Sequence, residues 1–409
     1  MSETAIPQAA PATRPTDENP PLTLQTTPLA ALLAKAPAGT VLAAYRGVQT
    51  PQELDAPDRE TAALAAGVAV HDLGWLRRVA ARGEDRFRWL SGMVTNTVND
   101  LAANAGAWNL VLNAQGRIQG DLHVWCEADH LGLEIAADQY DRLLAHLDRF
   151  IIMDDVELVP LSLDPSGSPN ESPNQSLIGE TALGLVGPLA AGVLETLGLP
   201  VLPEQLTSVC AAWNGQEMRV VRAYGLLVPH YELWVRAAQI PALWRALVDA
   251  GATPVGAAAL EAFRIAEGIP AYGIDMAERD LPQETSQMRA LNFNKGCYLG
   301  QEIVERIHSR GSVHRHLRPL ELFGPLPAAG AALTLEGGAA AGEITSVAEL
   351  PLPSGPRIFA LGMIRDEAEV HNQPFIYTAG TATGTARILT APPGLEPSEP
   401  SQRSEQVNE

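Results

Sequence analysis

The sequence predicts an α+β protein with two ferredoxin-like units followed by a C-terminal β-barrel. The first observation is that the order of elements in both halves resembles strand, helix, strand, strand, helix and strand. The second is a series of short apolar runs after residue 317, separated by glycine and proline, which is typical of a small all-β barrel. The 409 residues exceed what one core usually serves, so we expect two or three domains.

The first unit is predicted within residues 41–160. The strand-like run WLRRVAARG leads into the helical run EDRFRWLSGMV, and a turn at 114–116 separates two further strands. The predicted elements are a strand at 75–83, a helix at 84–94, strands at 109–113, 117–126 and 131–136, a helix at 139–150 and a strand at 156–160.

The second unit is predicted within residues 179–316 and repeats this order. One helix opens at Gly187-Pro188, where proline suits the first turn, and another stops at Gly268, with Pro270 beyond it. The predicted elements are a strand at 182–186, the helix that opens at 187, strands at 218–224 and 231–235, and helices at 241–251 and 257–268.

Three stretches lie outside these units. Residues 1–40 are rich in Pro, Ala and Thr and are predicted to be disordered. Residues 161–178 contain DPSGSPNESPNQS, which is typical of a linker or an exposed insertion. The barrel is assigned to residues 317–390, and the tail 391–409 is predicted to be disordered because it has no hydrophobic period.

The charge pattern narrows the choice of partners. A formal charge of −20 and a pI of about 4.8 argue against a broad nucleic-acid surface. No apolar run approaches the ~18 residues that span a bilayer, and the N-terminus lacks a secretory pattern, so a cytoplasmic protein is expected. Residues 295–318 form a basic island that is either a solvated face or a site for an anion. The pair His314 and His316 has no identifiable third ligand, so no metal site is predicted.

Cysteine usage directs attention to Cys297. The three cysteines are far apart and are too few for an all-cysteine metal or iron–sulfur site. Cys126 and Cys210 lie in apolar strand-like runs, where cysteine usually behaves as a small hydrophobic residue. Only Cys297 has polar, glycine-rich neighbours, in the run NKGCYLGQEIVERIHSRG.

Cys297 is predicted to lie just before a helix that Gly311 ends. Free N–H groups at a helix start, together with Lys295, would favour a thiolate. Gly296 and Gly300 allow another backbone or a ligand to approach closely. The residues alone leave a tight turn with a packed cysteine as the alternative, because spacing assigns no base to the thiol.

The run KGCYLGQE at 295–302 resembles the signature K-G-C-[FY]-x-G-Q-E of the YgfZ family at every position. The runs EAFRIAEGIPAYGIDM at 261–276 and LPQETSQ at 281–287 resemble the segment that precedes this signature. YgfZ proteins are a branch of the folate-binding superfamily that contains the glycine-cleavage T-protein, an aminomethyltransferase. The resemblance covers roughly residues 65–390. It implies a T-protein-like architecture, with two ferredoxin-like units and a barrel around a central opening that binds tetrahydrofolate.

The resemblance also implies roles for individual residues. Cys297 would be the functional thiol, with Lys295 beside it. The run LNAQGRIQGDLHVW matches a T-protein segment whose Asp-Asp pair activates the folate amine, but here Gly120-Asp121 replaces that pair. Asp121 is therefore the remaining candidate for a folate contact, although a lone aspartate at a hairpin is more often a turn or cap residue.

A second T-protein segment supplies a carboxylate to the pterin ring, and the matching run here is RAYGLLVPHYELW. Tyr224 is retained and Glu232 is the nearest carboxylate, with a solvent-facing edge-strand glutamate as the alternative. Arg264 matches an arginine on the helix that lines the folate cavity, and its partner would be a folate carboxylate or a buried acid. The predicted folate contacts are completed by Gly296, Gln301 and Arg315.

These departures from the T-protein pattern point away from aminomethyl transfer. The resemblance implies a folate-dependent accessory protein that supports iron–sulfur cluster assembly or repair and, through such enzymes, tRNA thiomethylation. Its partners would be folate and iron–sulfur enzymes or assembly proteins, without direct contact to nucleic acid or membrane. Two alternatives stay open: a tetrahydrofolate-dependent aminomethyltransferase, and a non-catalytic interaction module with a structural Cys297. The sequence does not indicate an oligomeric state.

Overall fold

The computed structural model describes residues 24–35, 40–162, 179–352, 354–371 and 373–395; the rest of the predicted termini and linker lies outside these ranges. Part of the N-terminal stretch predicted to be disordered is ordered, which corrects that prediction. It forms β1 (Gln25–Thr26) and α1 (Pro28–Leu33). The Thr27 hydroxyl caps α1 by accepting a hydrogen bond from the Ala30 amide at 3.1 Å. Leu29 is buried in the core of the second sheet, which fixes the helix there.

A hairpin that the sequence analysis did not predict follows. Arg46 and Gly47, with φ of 48° and 86°, form its two-residue turn, a geometry that matches the twist of the flanking strands. A Cβ at Gly47 would lie 2.6 Å from the Asp138 nitrogen, so the tight packing of this turn requires glycine. The elements of this region are β2 (Leu42–Tyr45), β3 (Val48–Pro51), α2 (Pro57–Ala66) and β4 (Ala69–Asp72).

The first sheet has five strands in the order β6-β7-β8-β5-β9. The last four of these have the ferredoxin-like order, and β6 extends the edge of the sheet. Apolar side chains that alternate along β7 and β8 pack against α3 and α4 in one core. The elements are β5 (Leu76–Arg82), α3 (Arg86–Ser91), β6 (Gly106–Leu112), β7 (Ile118–Cys126), β8 (Leu131–Ala136), α4 (Ala137–Asp148) and β9 (Glu157–Pro160).

The second sheet has six strands in the order β11-β12-β13-β10-β4-β14. Strand β4 lies within the predicted first unit and precedes the strands of the first sheet, yet it pairs with β10 and β14 of the second sheet. The division into 41–160 and 179–316 therefore does not follow the sheets at this strand. Cys210 on β11 is exposed, which corrects the expectation of a packed residue. The elements are β10 (Glu180–Val186), α5 (Ala190–Thr196), β11 (Thr207–Trp213), β12 (Gln216–Ala223), β13 (His230–Arg236), α6 (Ile240–Asp249), β14 (Thr253–Pro254) and α7 (Ala257–Ala266).

The C-terminal strands close into a six-stranded barrel in the order β15-β18-β17-β16-β19-β20. The predicted fold class, two α+β units and a barrel, is confirmed. In the described ranges no helix is long and apolar enough to cross a bilayer. The remaining elements are α8 (Gln301–Arg310), β15 (Arg315–Phe323), β16 (Ala332–Thr334), β17 (Ala340–Leu352), β18 (Gly355–Arg365), α9 (Asp366–Glu369), β19 (Phe375–Ala379) and β20 (Ala382–Ile388).

Candidate functional site

A cavity of about 240 Å³ lies between the two sheets and beside α7. Its walls come from β4, β7, β8 and β13, from the turn of the β2–β3 hairpin and from α7. Three tryptophans and a tyrosine, Trp75, Trp108, Trp125 and Tyr224, give it flat aromatic surfaces. The volume is close to the lower end of the range of roughly 300–1,000 Å³ for small-molecule pockets. We call this the central cavity.

Asp121 on β7 lies in the wall of the central cavity. Its two oxygens accept hydrogen bonds from Trp108 Nε1 at 2.8 Å and from Gln139 Nε2 at 3.0 Å. Gln139 also accepts a hydrogen bond from the Asp121 amide at 3.0 Å. The carboxylate is thus held in one orientation by neighbouring side chains, and it keeps acceptor capacity for a ligand.

Gly120, where the T-protein pattern has a second aspartate, faces away from the central cavity. A Cβ at this position would lie 2.6 Å from Gln139 Oε1 and 2.9 Å from Leu143 Cδ1, both on α4. Alternation along β7 places residue 120 against the helix and residue 121 in the cavity. A carboxylate at residue 120 would therefore not reach the cavity in this backbone.

Two buried carboxyl groups lie in the cavity wall, one from each sheet: Glu134 on β8 and Glu232 on β13. Each accepts a hydrogen bond from a tryptophan Nε1, Glu134 from Trp125 at 3.2 Å and Glu232 from Trp234 at 2.8 Å. Burial raises the pKa of Glu134 well above its usual range, and the neighbouring Glu232 raises it further. Burial also raises the pKa of Glu232. Since β13 is an inner strand and Glu232 is buried, the alternative of a solvent-facing edge glutamate is wrong.

Three histidines also line the central cavity. Burial lowers the pKa of His71 to about 4, and burial together with the nearby Arg289 lowers that of His123 to about 3, so both rings are neutral at pH 7. His71 lies opposite Gly184 in the β4–β10 pairing, and a Cβ at Gly184 would be 2.0 Å from its Nε2. His230 Nε2 lies 3.1 Å from Glu267 Oε2.

Arg264 on α7 lines the central cavity, but its guanidinium is bound to the protein itself. It contacts Glu261, the Ile269 carbonyl oxygen and, at 2.8 Å, Asp275 Oδ2. Burial alone would lower the pKa of Arg264, but the carboxylates of Asp275 and Glu261 raise it. The buried acid, one of the two partners that the sequence analysis left open, is Asp275.

Arg289 lines the central cavity and was not predicted from the sequence. Its Cζ lies 4.2 Å from the centre of the Trp108 ring and 3.8 Å from the centre of the Tyr224 ring. Its Nε donates to Gln287 Oε1 at 3.2 Å. Burial lowers the pKa of Arg289 to about 10, so the guanidinium stays charged at neutral pH.

The segment Lys295–Gln301 lies apart from the central cavity. Lys295 Nζ donates hydrogen bonds of 2.7 Å to the carbonyl oxygens of Val94 and Asn96, and burial lowers its pKa to about 8. Cys297 is exposed. In the described part of the chain no hydrogen bond joins Lys295 to Cys297, so the ammonium serves to fix the loop to the first unit.

The glycines of this segment differ in what surrounds them. Gly300 has a φ of 80°, and a Cβ there would lie 2.5 Å from the Asn113 carbonyl oxygen, so only glycine fits against the turn of the first unit. Gly296 has no atom within 4 Å of its ideal Cβ position. Gln301 begins α8, and its Oε1 accepts a hydrogen bond from the Tyr298 amide at 3.2 Å. Gly296 and Gln301 do not line the central cavity, so the folate contacts predicted for them stay predictions.

Arg315 does not line the central cavity either. Its guanidinium donates to Asp280 Oδ1 at 2.7 Å and to Glu284 Oε1 at 3.0 Å. Arg318 pairs with both oxygens of Glu369, at 2.9 and 3.0 Å. Part of the basic island is therefore neutralised internally, while its α8 residues remain exposed.

The structure thus separates the predicted site residues into two groups. Asp121, Tyr224, Glu232 and Arg264 converge on the central cavity, whereas the loop residues and Arg315 lie outside it. A charged residue within the apolar strand LGLEIA was the signal that could have identified Glu134. In the described ranges no group of three His, Cys, Asp or Glu side chains could hold a metal ion.

Two sheets with packed helices, a closed barrel and a cavity lined by carboxylates and aromatic rings define a T-protein-like architecture. The family model described as the GCVT N-terminal domain matches residues 34–295, and the chain belongs to this family. An aminomethyltransferase of Rubrobacter xylanophilus is 28% identical over 309 residues, which cover 75% of this chain and 79% of that protein. A putative chloroplastic transferase of Arabidopsis thaliana is 25% identical over 321 residues, or 78% of this chain and 70% of the relative.

A solved structure agrees in fold. The crystal structure of glycine cleavage system aminomethyltransferase T from Bartonella henselae aligns with a TM-score of 0.79 and 20% sequence identity, covering 91% of this chain and 98% of that one. This likeness supports the arrangement of the two sheets and the barrel.

Proposed function

We propose that the chain is a folate-binding protein of the YgfZ type, whose central cavity holds the pterin ring of tetrahydrofolate. The observation that carries this proposal is the convergence of Asp121, Tyr224 and Glu232 on one cavity between the two sheets. The family membership and the relatives named as aminomethyltransferases support the folate part of the proposal. The run KGCYLGQE supports the YgfZ part.

The groups around the cavity fit a pterin. This ring is flat and carries both N–H donors and a carbonyl acceptor, and the cavity offers aromatic walls with acceptors and donors between them. The carboxyl groups of Asp121 and Glu232 supply acceptors. Trp75 Nε1 is a buried donor with no hydrogen-bond partner among the described residues, and a ligand acceptor would satisfy it.

In this proposal the protein binds and orients the ring. Glu232, held by Trp234, receives the N–H donors of the pterin, and the raised pKa of Glu134 favours the protonated form of this neighbouring carboxyl group. Asp121 is held by Trp108 and Gln139 on the opposite wall. When bound, tetrahydrofolate supplies the nitrogens that carry one-carbon groups, N5 of the ring and N10 of the adjoining aryl amine.

Cys297 is exposed on a loop that Lys295 and Gly300 fix to the first unit, so a protein partner can reach the thiol. We propose that this thiol serves iron–sulfur enzymes or assembly proteins as a redox group or a transient ligand in the cytoplasm. One thiolate is too few for stable cluster coordination, which favours a transient role.

A tetrahydrofolate-dependent aminomethyltransferase is the second candidate, and one observation favours it. The Asp-to-Gly replacement at Gly120 lies against α4, so the aspartate that faces the cavity, Asp121, is retained. The sequence analysis counted the missing aspartate at Gly120 against aminomethyl transfer. Since residue 120 does not face the cavity, this argument is weaker than the sequence alone indicates.

Titration of the full-length chain with tetrahydrofolate tests the first candidate, with quenching of the cavity tryptophans as the signal. We expect saturable binding, and a loss of affinity in Asp121→Asn and Glu232→Gln. Absence of saturable binding to the native chain would overturn the folate proposal.

Complementation separates the remaining roles. In a strain that lacks its own YgfZ protein, the native chain should restore iron–sulfur enzyme activity and Cys297→Ala should not. Equal rescue by Cys297→Ala would exclude the thiol role. Formation of methylenetetrahydrofolate from an aminomethyl-carrying lipoyl protein would establish the second candidate instead.

A further inference from the structure

Arg289 is an exception among the arginines of the central cavity. Arg264 is paired with Glu261 and Asp275, and Arg46 Nη2 lies 3.8 Å from Glu261 Oε2. In the described part of the chain no carboxylate oxygen lies within 4.0 Å of a guanidinium nitrogen of Arg289. A partly buried cation without a counter-ion costs free energy, so this position favours an anion from outside the chain.

The acids nearest to Arg289 are already engaged. Glu267 Oε1 accepts hydrogen bonds from the amides of Leu226 and Leu227 at 2.9 and 3.0 Å, and its other oxygen faces His230. Asp121 is held by Trp108 and Gln139. Neither carboxylate forms an ion pair with the guanidinium; both act on it from a greater distance, and their charges oppose the lowering of its pKa by burial.

The aromatic neighbours hold the guanidinium plane in place. Trp108 and Tyr224 lie on it at 4.2 and 3.8 Å, contacts that orient a planar cation and leave its edge free. Nε is bound to Gln287. For Nη1 and Nη2 no hydrogen bond to another described residue is found, so this edge can bind a carboxylate with two parallel hydrogen bonds.

Arg289 also lies where the central cavity meets a second cavity. This outer cavity has a volume of about 530 Å³ and extends toward β15 and β20 of the barrel. The two cavities share four residues in their walls, Tyr224, Glu267, Ile269 and Arg289. A ligand whose ring fills the central cavity would therefore extend past Arg289 into the outer cavity.

We propose that Arg289 determines ligand specificity by binding a carboxylate on the extension of the ligand, at the junction of the two cavities. The ligand class is a flat ring system with a carboxylate-bearing side chain, as opposed to a free pterin. The proposal rests on the proposed function and adds to it the recognition of the glutamate end of folate. It assigns the recognition of an anion to Arg289 and not to the basic island at 295–318, for which the sequence analysis left open a solvated face or a site for an anion.

Titration of two ligands tests the proposal on the full-length chain. Tetrahydrofolate carries the benzoylglutamate extension, and 6-methyltetrahydropterin lacks it. We expect Arg289→Gln to weaken tetrahydrofolate binding by about 10- to 100-fold, as for loss of a charged hydrogen-bonded pair, and to leave 6-methyltetrahydropterin within about twofold. Arg289→Lys should recover part of the loss and increase the salt dependence of binding.

Arg310→Gln is the matched control, because Arg310 is exposed on α8 and lies in the basic island. It should change tetrahydrofolate affinity by less than about twofold. Thermal unfolding of all variants separates a folding defect from a binding defect.

Each outcome bears on one proposal. If the native chain binds neither ligand, the proposed function fails and this inference fails with it. If the native chain binds both ligands but Arg289→Gln weakens both equally or neither, only the role of Arg289 is overturned. If Arg310→Gln loses as much tetrahydrofolate affinity as Arg289→Gln, the ligand responds to the overall positive charge of the protein and not to Arg289. This result would also overturn the role of Arg289.

Discussion

The central cavity and the Cys297 loop differ in how their functional groups are held. In the cavity, Asp121, Glu232 and Arg264 are bound by neighbouring side chains, and burial shifts the pKa values of several groups. In the loop, the backbone is fixed by Lys295 and Gly300 while the thiol itself is exposed. Preorganised side chains in a desolvated cavity are suited to binding a small ligand. An exposed thiol on a fixed backbone is suited to contact with a protein partner.

The largest expected effect tests whether the Arg264 cluster is a structural part of the cavity. Arg264→Met leaves Asp275, only 2% exposed, without its cationic partner. Loss of one member of a buried pair costs about 3–5 kcal/mol, so the free energy of unfolding in urea should fall by that amount. Arg245→Met, at an exposed residue of α6, should change it by less than about 0.5 kcal/mol. If both variants lose a similar free energy of unfolding, the ion pairs of Arg264 are not a structural part of the cavity.

The two motif glycines provide the next test, because they differ in surroundings within one loop. Gly300→Ala introduces a Cβ 2.5 Å from a carbonyl oxygen at a φ of 80°, and should cost about 2–3 kcal/mol. Gly296→Ala meets open space and should cost less than about 0.5 kcal/mol. Thermal unfolding measures both. Equal costs would contradict the view that only part of the motif is structural.

The fold was more accessible to sequence reasoning than the site. Strands with alternating apolar residues, such as β7, and helices with clear stop residues, such as α7, were predicted close to their observed positions. Strand β4, with the sequence AVHD, was missed because it is short and every residue is buried, so it shows no alternation. Its neighbour β10 lies more than a hundred residues away, a pairing that no local pattern encodes.

The site residues divide in the same way. Asp121, Tyr224 and Glu232 came from the family resemblance, and all three line the cavity. Arg289 could not be predicted as a site residue, because its position in the site depends on two aromatic rings that are distant in sequence. These are Trp108 on β6 and Tyr224 in the segment after β12. Lys295 was expected to act on the neighbouring thiol, but the carbonyl groups of Val94 and Asn96, distant in sequence, bind its ammonium.

The acid pair gives a smaller effect with a pH signature specific to the cavity. Because the pKa of Glu134 is raised in the folded state, the folded protein keeps a proton on Glu134 above pH 4.5, where the unfolded chain releases it. The free energy of unfolding therefore falls as the pH rises from 4.5 toward the raised pKa of Glu134. Glu134→Gln supplies a permanent N–H donor for Glu232 and an acceptor for Trp125. It should flatten this decline and stabilise the protein at pH 8 by about 1 kcal/mol.

Urea unfolding between pH 5 and pH 9 measures the slope for the acid pair. Glu302→Gln, at an exposed residue of α8, is the control and should leave the native slope unchanged. If Glu134→Gln retains the native slope, the two carboxyl groups do not share a proton.

The smallest expected effects are those of Cys297→Ala, and they test the independence of loop and cavity most directly. Because the thiol is exposed and bound to no described side chain, its removal should change the free energy of unfolding by less than about 0.5 kcal/mol. Tetrahydrofolate affinity should stay within about twofold. The count of thiols that react quickly with an aromatic disulfide reagent should fall from two to one, because Cys210 is exposed and Cys126 is buried. Weaker folate binding in this variant would mean that the loop and the cavity are coupled, and the two regions would then form one site.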